Sequence, residues 1–179
     1  DIPLLTRQEY ISLAKEIYIT RRRFRRMLLE CDYVIQAAVK VLRRVFSGDL
    51  PFDRTVQVSV TDRLEKDQIL GRFPHNLKTL ETLLKRNRRD YRIATSKSYR
   101  MAERRAAWRR LGRRRSRAVR LVEELGLRTQ RIEPMIKTLD DFSRRIDHLK
   151  NRIDDHRKLR APAGEREPMV AEFRNLLRV

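Results

Sequence analysis

Apolar positions recur along this chain in three- and four-residue steps, the period of helices and not the strict alternation of strands. From Tyr10 every seventh residue is apolar or small: Tyr10, Ile17, Phe24, Cys31, Ala38 and Val45. Leu13, Met27, Val34 and Val41 fill the second seam position, which Thr20 alone interrupts, and Leu28, Ile35 and Leu42 widen the stripe. Ahead of it, Thr6 and Glu9 have the spacing of a capping box. The pattern predicts one helix of about 40 residues, ~60 Å long. It ends at Ser47-Gly48 and holds Cys31 on its buried seam, as a small core residue.

Residues 49–60 read as a connector. Val56, Val58 and Val60 alternate with polar residues, but one isolated extended piece is not a sheet, so it is taken as a loop packed on helices. A short second helix over 61–71 carries Leu64, Ile69 and Leu70, with Gly71 and Pro74 to stop it. A third, over 76–94, places Leu77, Leu80, Leu83, Leu84, Asn87 and Tyr91 on one face. Thr95 to Ser98 form a weak point, either a turn or a frayed joint. A fourth helix over 99–125 is marked by Met101, Trp108, Leu111, Leu121, Val122 and Leu125 and closes at a Gly126 cap. A fifth opens near Thr129 and runs through Ile132, Met135, Ile136, Leu139, Phe142, Ile146, Leu149 and Ile153, with Pro134 tolerated in its first turn. Residues 161–168 are a linker; the piece from Met169 to Val179 stops without a cap, as in a segment of a longer chain.

The fold class that follows is all-α: an elongated helical bundle in which the long N-terminal helix pairs with the long C-terminal one. Its segments are 1–48, a long helix; 49–160, a set of helices; and 161–179, a linker with the start of a further helix.

Charge changes what this bundle is for. The 179 residues carry 44 Lys and Arg against 24 Asp and Glu, a net charge of +20 with a pI of about 11.2. The apolar fraction of 40% is too high and too regular for a disordered basic tail. No apolar run approaches the ~18–20 residues that would span a bilayer, so no membrane is expected as a partner. Residues 1–30 lack the apolar stretch of a secretory signal, so the chain is expected to be cytoplasmic. The surplus favours a polyanionic partner, nucleic acid first.

That surplus has an address. Residues 85–120 hold sixteen Lys and Arg against only Asp90 and Glu103. Arg104, Arg105, Arg109, Arg110, Arg113, Arg114, Arg115 and Arg117 recur at helical spacing around Trp108 and are the candidate contacts to DNA or to an acidic protein surface. The bland alternative is a solvated face balanced by the acidic fifth helix (Glu133, Asp140, Asp141, Asp147, Asp154, Asp155). Arg21, Arg22, Arg23, Arg25 and Arg26 form a second, smaller patch.

Catalytic chemistry has no candidate. His75, His148 and His156 are scattered, and adjacent Asp154, Asp155 and His156 point different ways on a helix, so no metal site is expected. No Gly-rich phosphate loop or nucleophile motif occurs. The reading is a non-enzyme with no cofactor and no small-molecule substrate.

Residues 4–17 add a resemblance. Leu4, Leu5, Thr6, Leu13, Ala14, Lys15 and Ile17 match the pattern Leu-Leu-Thr-x-Glu-x-Glu-x-x-Leu-Ala-Lys-x-Ile. That pattern ends conserved region 1.2 of primary, housekeeping-type sigma factors of bacterial RNA polymerase. Glu9 is displaced by one residue from an acidic position of the pattern, and Tyr10 replaces another. The segment from Gly126 to Ile132 is similar to a helix start late in the variable insertion that some of these factors carry before region 2.1. The resemblance implies that 1–48 is the end of region 1.2 running into a long helix and that 49–160 is that insertion. It implies two partners, the clamp region of the RNA polymerase core and promoter DNA, and a role in transcription initiation. The family's residues that contact discriminator DNA would precede Asp1, and its region 2 aromatics are not seen before Val179. A basic helical RNA-binding protein of the ribosome-associated kind explains the charge equally well but not the pattern from Leu4 to Ile17; a self-associating coiled coil is a third option.

Overall fold

Thr6 starts the first helix as its spacing requires, in the computed structural model that describes residues 5–57, 63–159 and 162–177. Its hydroxyl accepts from the Glu9 N–H at 3.3 Å, and the Glu9 carboxylate takes the Thr6 N–H at 2.8 Å. Two donors of the first turn are thereby satisfied. This helix, α1, covers Arg7–Leu29. It is not the single long helix that the heptads predict: the chain breaks at Glu30 and Cys31 and restarts as α2, Asp32–Phe46. Cys31 therefore leaves the expected buried seam and sits half-buried at the N-cap of α2. The break puts the Asp32 carboxylate in a first turn, where the helix dipole favours it.

Beyond the break the apolar stripe is used. Val34, Ile35, Ala38, Val39, Leu42 and Val45 are buried. Gly48, at φ +86, ends the turn in the left-handed conformation that glycine tolerates. A single turn, α3 (Phe52–Thr55), follows.

Helix α4 runs over Arg63–Thr95, straight through Gly71 and Pro74. The expected stop does not occur. An interior proline forfeits one backbone hydrogen bond, at a cost of about 3 kcal/mol. Here the apolar face is continuous on both sides of it, with Ile69, Phe73, Leu77, Leu80 and Leu84 all buried. Phe73 is fully buried between the rings of Phe46 and Phe52, 6.1 and 6.2 Å away. Of the two alternatives for the weak point after Thr95 the structure has the turn, and the Glu103 carboxylate accepts the Arg100 N–H to start α5, Met101–Glu124. Helices α4 and α5 form the principal helix pair, α5 burying Ala107, Leu111, Ala118, Val119 and Val122. Gly126, at φ +62, closes α5 as predicted.

The connector's extended piece is realised at one point. Val56 and Leu127 form an isolated antiparallel bridge, in which Gln57 N–H donates to the Gly126 carbonyl at 2.7 Å and Arg128 N–H to that of Thr55 at 2.9 Å. Val58 and Val60 lie outside the described residues.

The chain divides into two compact units, Asp1–Arg131 and Ile132–Val179. In the second, α6 (Pro134–Lys158) opens at Pro134 and not near Thr129, which lies in a separate 3-10 turn, Thr129–Arg131; it pairs with α7, Ala163–Leu176, a helix that takes in Pro168 and most of the expected linker. Leu149, Ile153 and Met169 form its core with Val170, Phe173 and Leu176 against them. Arg145 grips Glu172 with two bonds, at 2.7 and 2.8 Å. The expected pairing of the first long helix with the last would join the two units; within them the pairs are α4 with α5 and α6 with α7. Among the described residues the fold is all-α, with no strand beyond that one bridge.

Candidate nucleic-acid interface

The arginines of α5 divide into two sets, and the division decides what the helix can bind. One set is spent inside the protein. Arg110 forks onto Asp90 of α4 with Nε and Nη2 both at 3.0 Å, and Arg114 closes on the same carboxylate. Arg114 Nε also donates to Asn87 Oδ1 at 2.8 Å; the Asn87 amide donates to Asp32 Oδ1 at 2.9 Å; Arg115 donates to Asp32 Oδ2 at 3.0 Å. These six residues tie α2, α4 and α5 together with charge-assisted bonds. Asp90 is only 7% exposed. The hydrogen bond from Arg110, aided by Arg114 and opposed by partial burial, lowers its pKa to about 2. Arg104 is also committed, its Nε donating to the Ala94 carbonyl at 3.0 Å.

The other set faces out. Arg105, Arg109, Arg113 and Arg117 follow one another at four-residue steps, about 6 Å apart along the axis, and Arg120 continues the line. All five are exposed, and none makes an ion pair or hydrogen bond with the described residues. Ala102, Ala106, Gly112 and Ser116 lie between them, too small to screen the guanidiniums. Like charges one turn apart repel by a few tenths of a kcal/mol per pair. Asp90 of α4 and Asp32 of α2 are already held by Arg110, Arg114 and Arg115.

The eight candidate arginines thus split evenly. Arg105, Arg109, Arg113 and Arg117 are available to a partner, whereas Arg104, Arg110, Arg114 and Arg115 are held by the fold. Arg120 joins the outward face three residues after Arg117 and is exposed, a placement that charge density alone does not reveal. The smaller patch divides likewise: Arg25 turns to Glu123 at 3.7 Å and Arg26 to Glu30 at 3.8 Å, while Arg21, Arg22 and Arg23 are exposed.

The residues that carry the sigma-like pattern are at the surface. Thr6 caps α1, and Leu5, Leu13, Ala14, Lys15 and Ile17 are exposed, together with Tyr10. Leu4 lies outside the described residues.

Among the described residues no group of three or more His, Cys, Asp or Glu could hold a metal ion. His156 lies 3.7 Å from Glu165, and Arg157 and Lys158 pair with Asp154 and Asp155. No described helix is long and apolar enough to cross a membrane. No known protein family, curated protein or solved structure matches the chain.

Proposed function

We propose that this chain is a phosphate-holding helical module of a sigma-type transcription initiation factor. The observation that carries the phosphate reading is the outward row of Arg105, Arg109, Arg113, Arg117 and Arg120, five guanidiniums with no described partner on one face of one helix. Duplex DNA presents a negative charge every ~1.7 Å of its axis, and binding it releases counterions. The row would hold promoter phosphates and set position without reading base sequence. The role in initiation rests on the likeness of residues 4–17 to the end of region 1.2. The exposed Tyr10, Leu13 and Ile17 of α1 offer an apolar surface of the kind that docking on the polymerase core requires.

Fluorescence titration of the chain with duplex DNA at several salt concentrations tests the first part. Five phosphate contacts give a log–log slope of roughly −4.5; absence of binding at low salt would refute it. Capture from a bacterial lysate, with and without nuclease, tests the second. Nuclease-resistant recovery of polymerase subunits supports the sigma reading. Nuclease-sensitive recovery of ribosomal material supports instead a ribosome-associated RNA-binding protein.

A further inference from the structure

Trp108 is the one aromatic side chain on the exposed side of α5, among arginines and small residues, with the exposed Met101 two turns before it. It is the chain's single tryptophan and is 46% exposed. Its inner edge is fixed, because Tyr91 of α4 meets it edge-on, with ring centroids 6.1 Å apart and planes at 87°. Arg105 and Arg109 flank it along α5.

Gly112 lies one turn further along the same side of the helix. A glycine inside a helix costs about 1 kcal/mol relative to alanine. The fold does not require this one: a Cβ built there meets nothing within 4 Å, and its backbone is ordinary helix. Its effect is to leave bare the turn next to the exposed indole. A flat group can reach the ring from that side.

From this we infer that Trp108, held by Tyr91 and laid open by Gly112, is a stacking platform for one unpaired nucleotide base. The phosphates on either side of that base lie on Arg105 and Arg109. The partner class is single-stranded nucleic acid, because a base inside a duplex has no free face to offer. The inference rests on the phosphate reading and adds to it a preference for unpaired over paired strands. Every base has a π-face, so stacking here selects single strands without selecting sequence.

The test uses the whole chain with a twelve-nucleotide thymidine DNA strand, a uridine RNA strand and a twelve-base-pair duplex, all at one salt concentration. Either single strand should quench Trp108 emission, and the duplex should bind with little quenching. Trp108→Ala should weaken single-strand binding roughly ten- to hundredfold and leave duplex binding within about twofold. Gly112→Leu, which keeps the helix by circular dichroism, should weaken single-strand binding in the same direction. Quenching by one sugar type alone supports the platform and identifies which nucleic acid it takes. Single strands that bind without quenching, or a Trp108→Ala loss equal on single strand and duplex, would overturn the platform and leave the phosphate reading standing. Failure of both strands and duplex to bind would remove both.

Discussion

Replacing Asp90 with Asn removes one charge and almost no volume, and it isolates what the buried carboxylate does for the fold. The guanidiniums of Arg110 and Arg114 hold this carboxylate, with its pKa lowered from 3.8 to about 2. A tenfold change in proton affinity is worth about 1.4 kcal/mol, so the ionised form contributes about 2 kcal/mol to stability at neutral pH. Because the folded-state value is the lower one, this contribution is present above pH ~4 and fades as pH falls toward 2. Asn mimics the protonated acid. The gap between wild type and Asp90→Asn should therefore be about 2 kcal/mol at pH 7 and shrink to about 1 kcal/mol at pH 3. Urea unfolding followed by the emission of Trp108 reads it, since the indole lies on α5 beside this network. An equal gap at both pH values would show that the loss is one of shape and not of charge. A gap under about 0.5 kcal/mol at pH 7 would mean that solvent screening has already neutralised the ion pairs.

Other expectations follow from single sites. A Cβ on Gly126 would lie 2.9 Å from the Gln57 carbonyl at φ +62, whereas one on Gly48 would meet nothing at φ +86. In thermal or urea unfolding Gly126→Ala should cost about 2 kcal/mol or more and Gly48→Ala only about 1; equal losses would contradict the close approach. The Thr6 N–H and hydroxyl hold the Glu9 carboxylate below its usual pKa. Thr6→Ala should move that value part of the way back up in an NMR titration and expose the first-turn amides of α1 to exchange. The triple variant of Arg109, Arg113 and Arg117 to Ala should flatten the salt dependence of duplex binding by roughly 2.7 in log–log slope, while Arg110→Ala should act on stability first.

What is legible in the sequence is whatever local spacing controls. The Thr6–Glu9 cap, the weak point after Thr95, the Gly126 terminus and the helical class all follow from neighbours within a turn or two. The interruption at Glu30 and Cys31 does not, because the heptads pass through it without a defect. The restart after it places Asp32 against Asn87 and Arg115, which are 55 and 83 residues away, beyond the reach of local spacing. Pro74 misleads in the opposite direction: its local penalty is overridden by Phe73 and the core around it. Counting charge finds the basic segment, but counting cannot say which arginines are already occupied. That depends on Asp90 lying 20 and 24 residues before Arg110 and Arg114, on a different helix.

The bridge between Val56 and Leu127 has a topological consequence. The chain leaves its core at Gln57 and returns to the same point at Gly126, clasped by two backbone hydrogen bonds. Helices α4 and α5, which lie between, form a hairpin with a closed root, whose far end at Lys97–Arg100 is exposed. The arginine face lies on this hairpin, between its clasped root and its exposed tip, and the ties of Asp32 to Asn87 and Arg115 hold the hairpin to α2 as well.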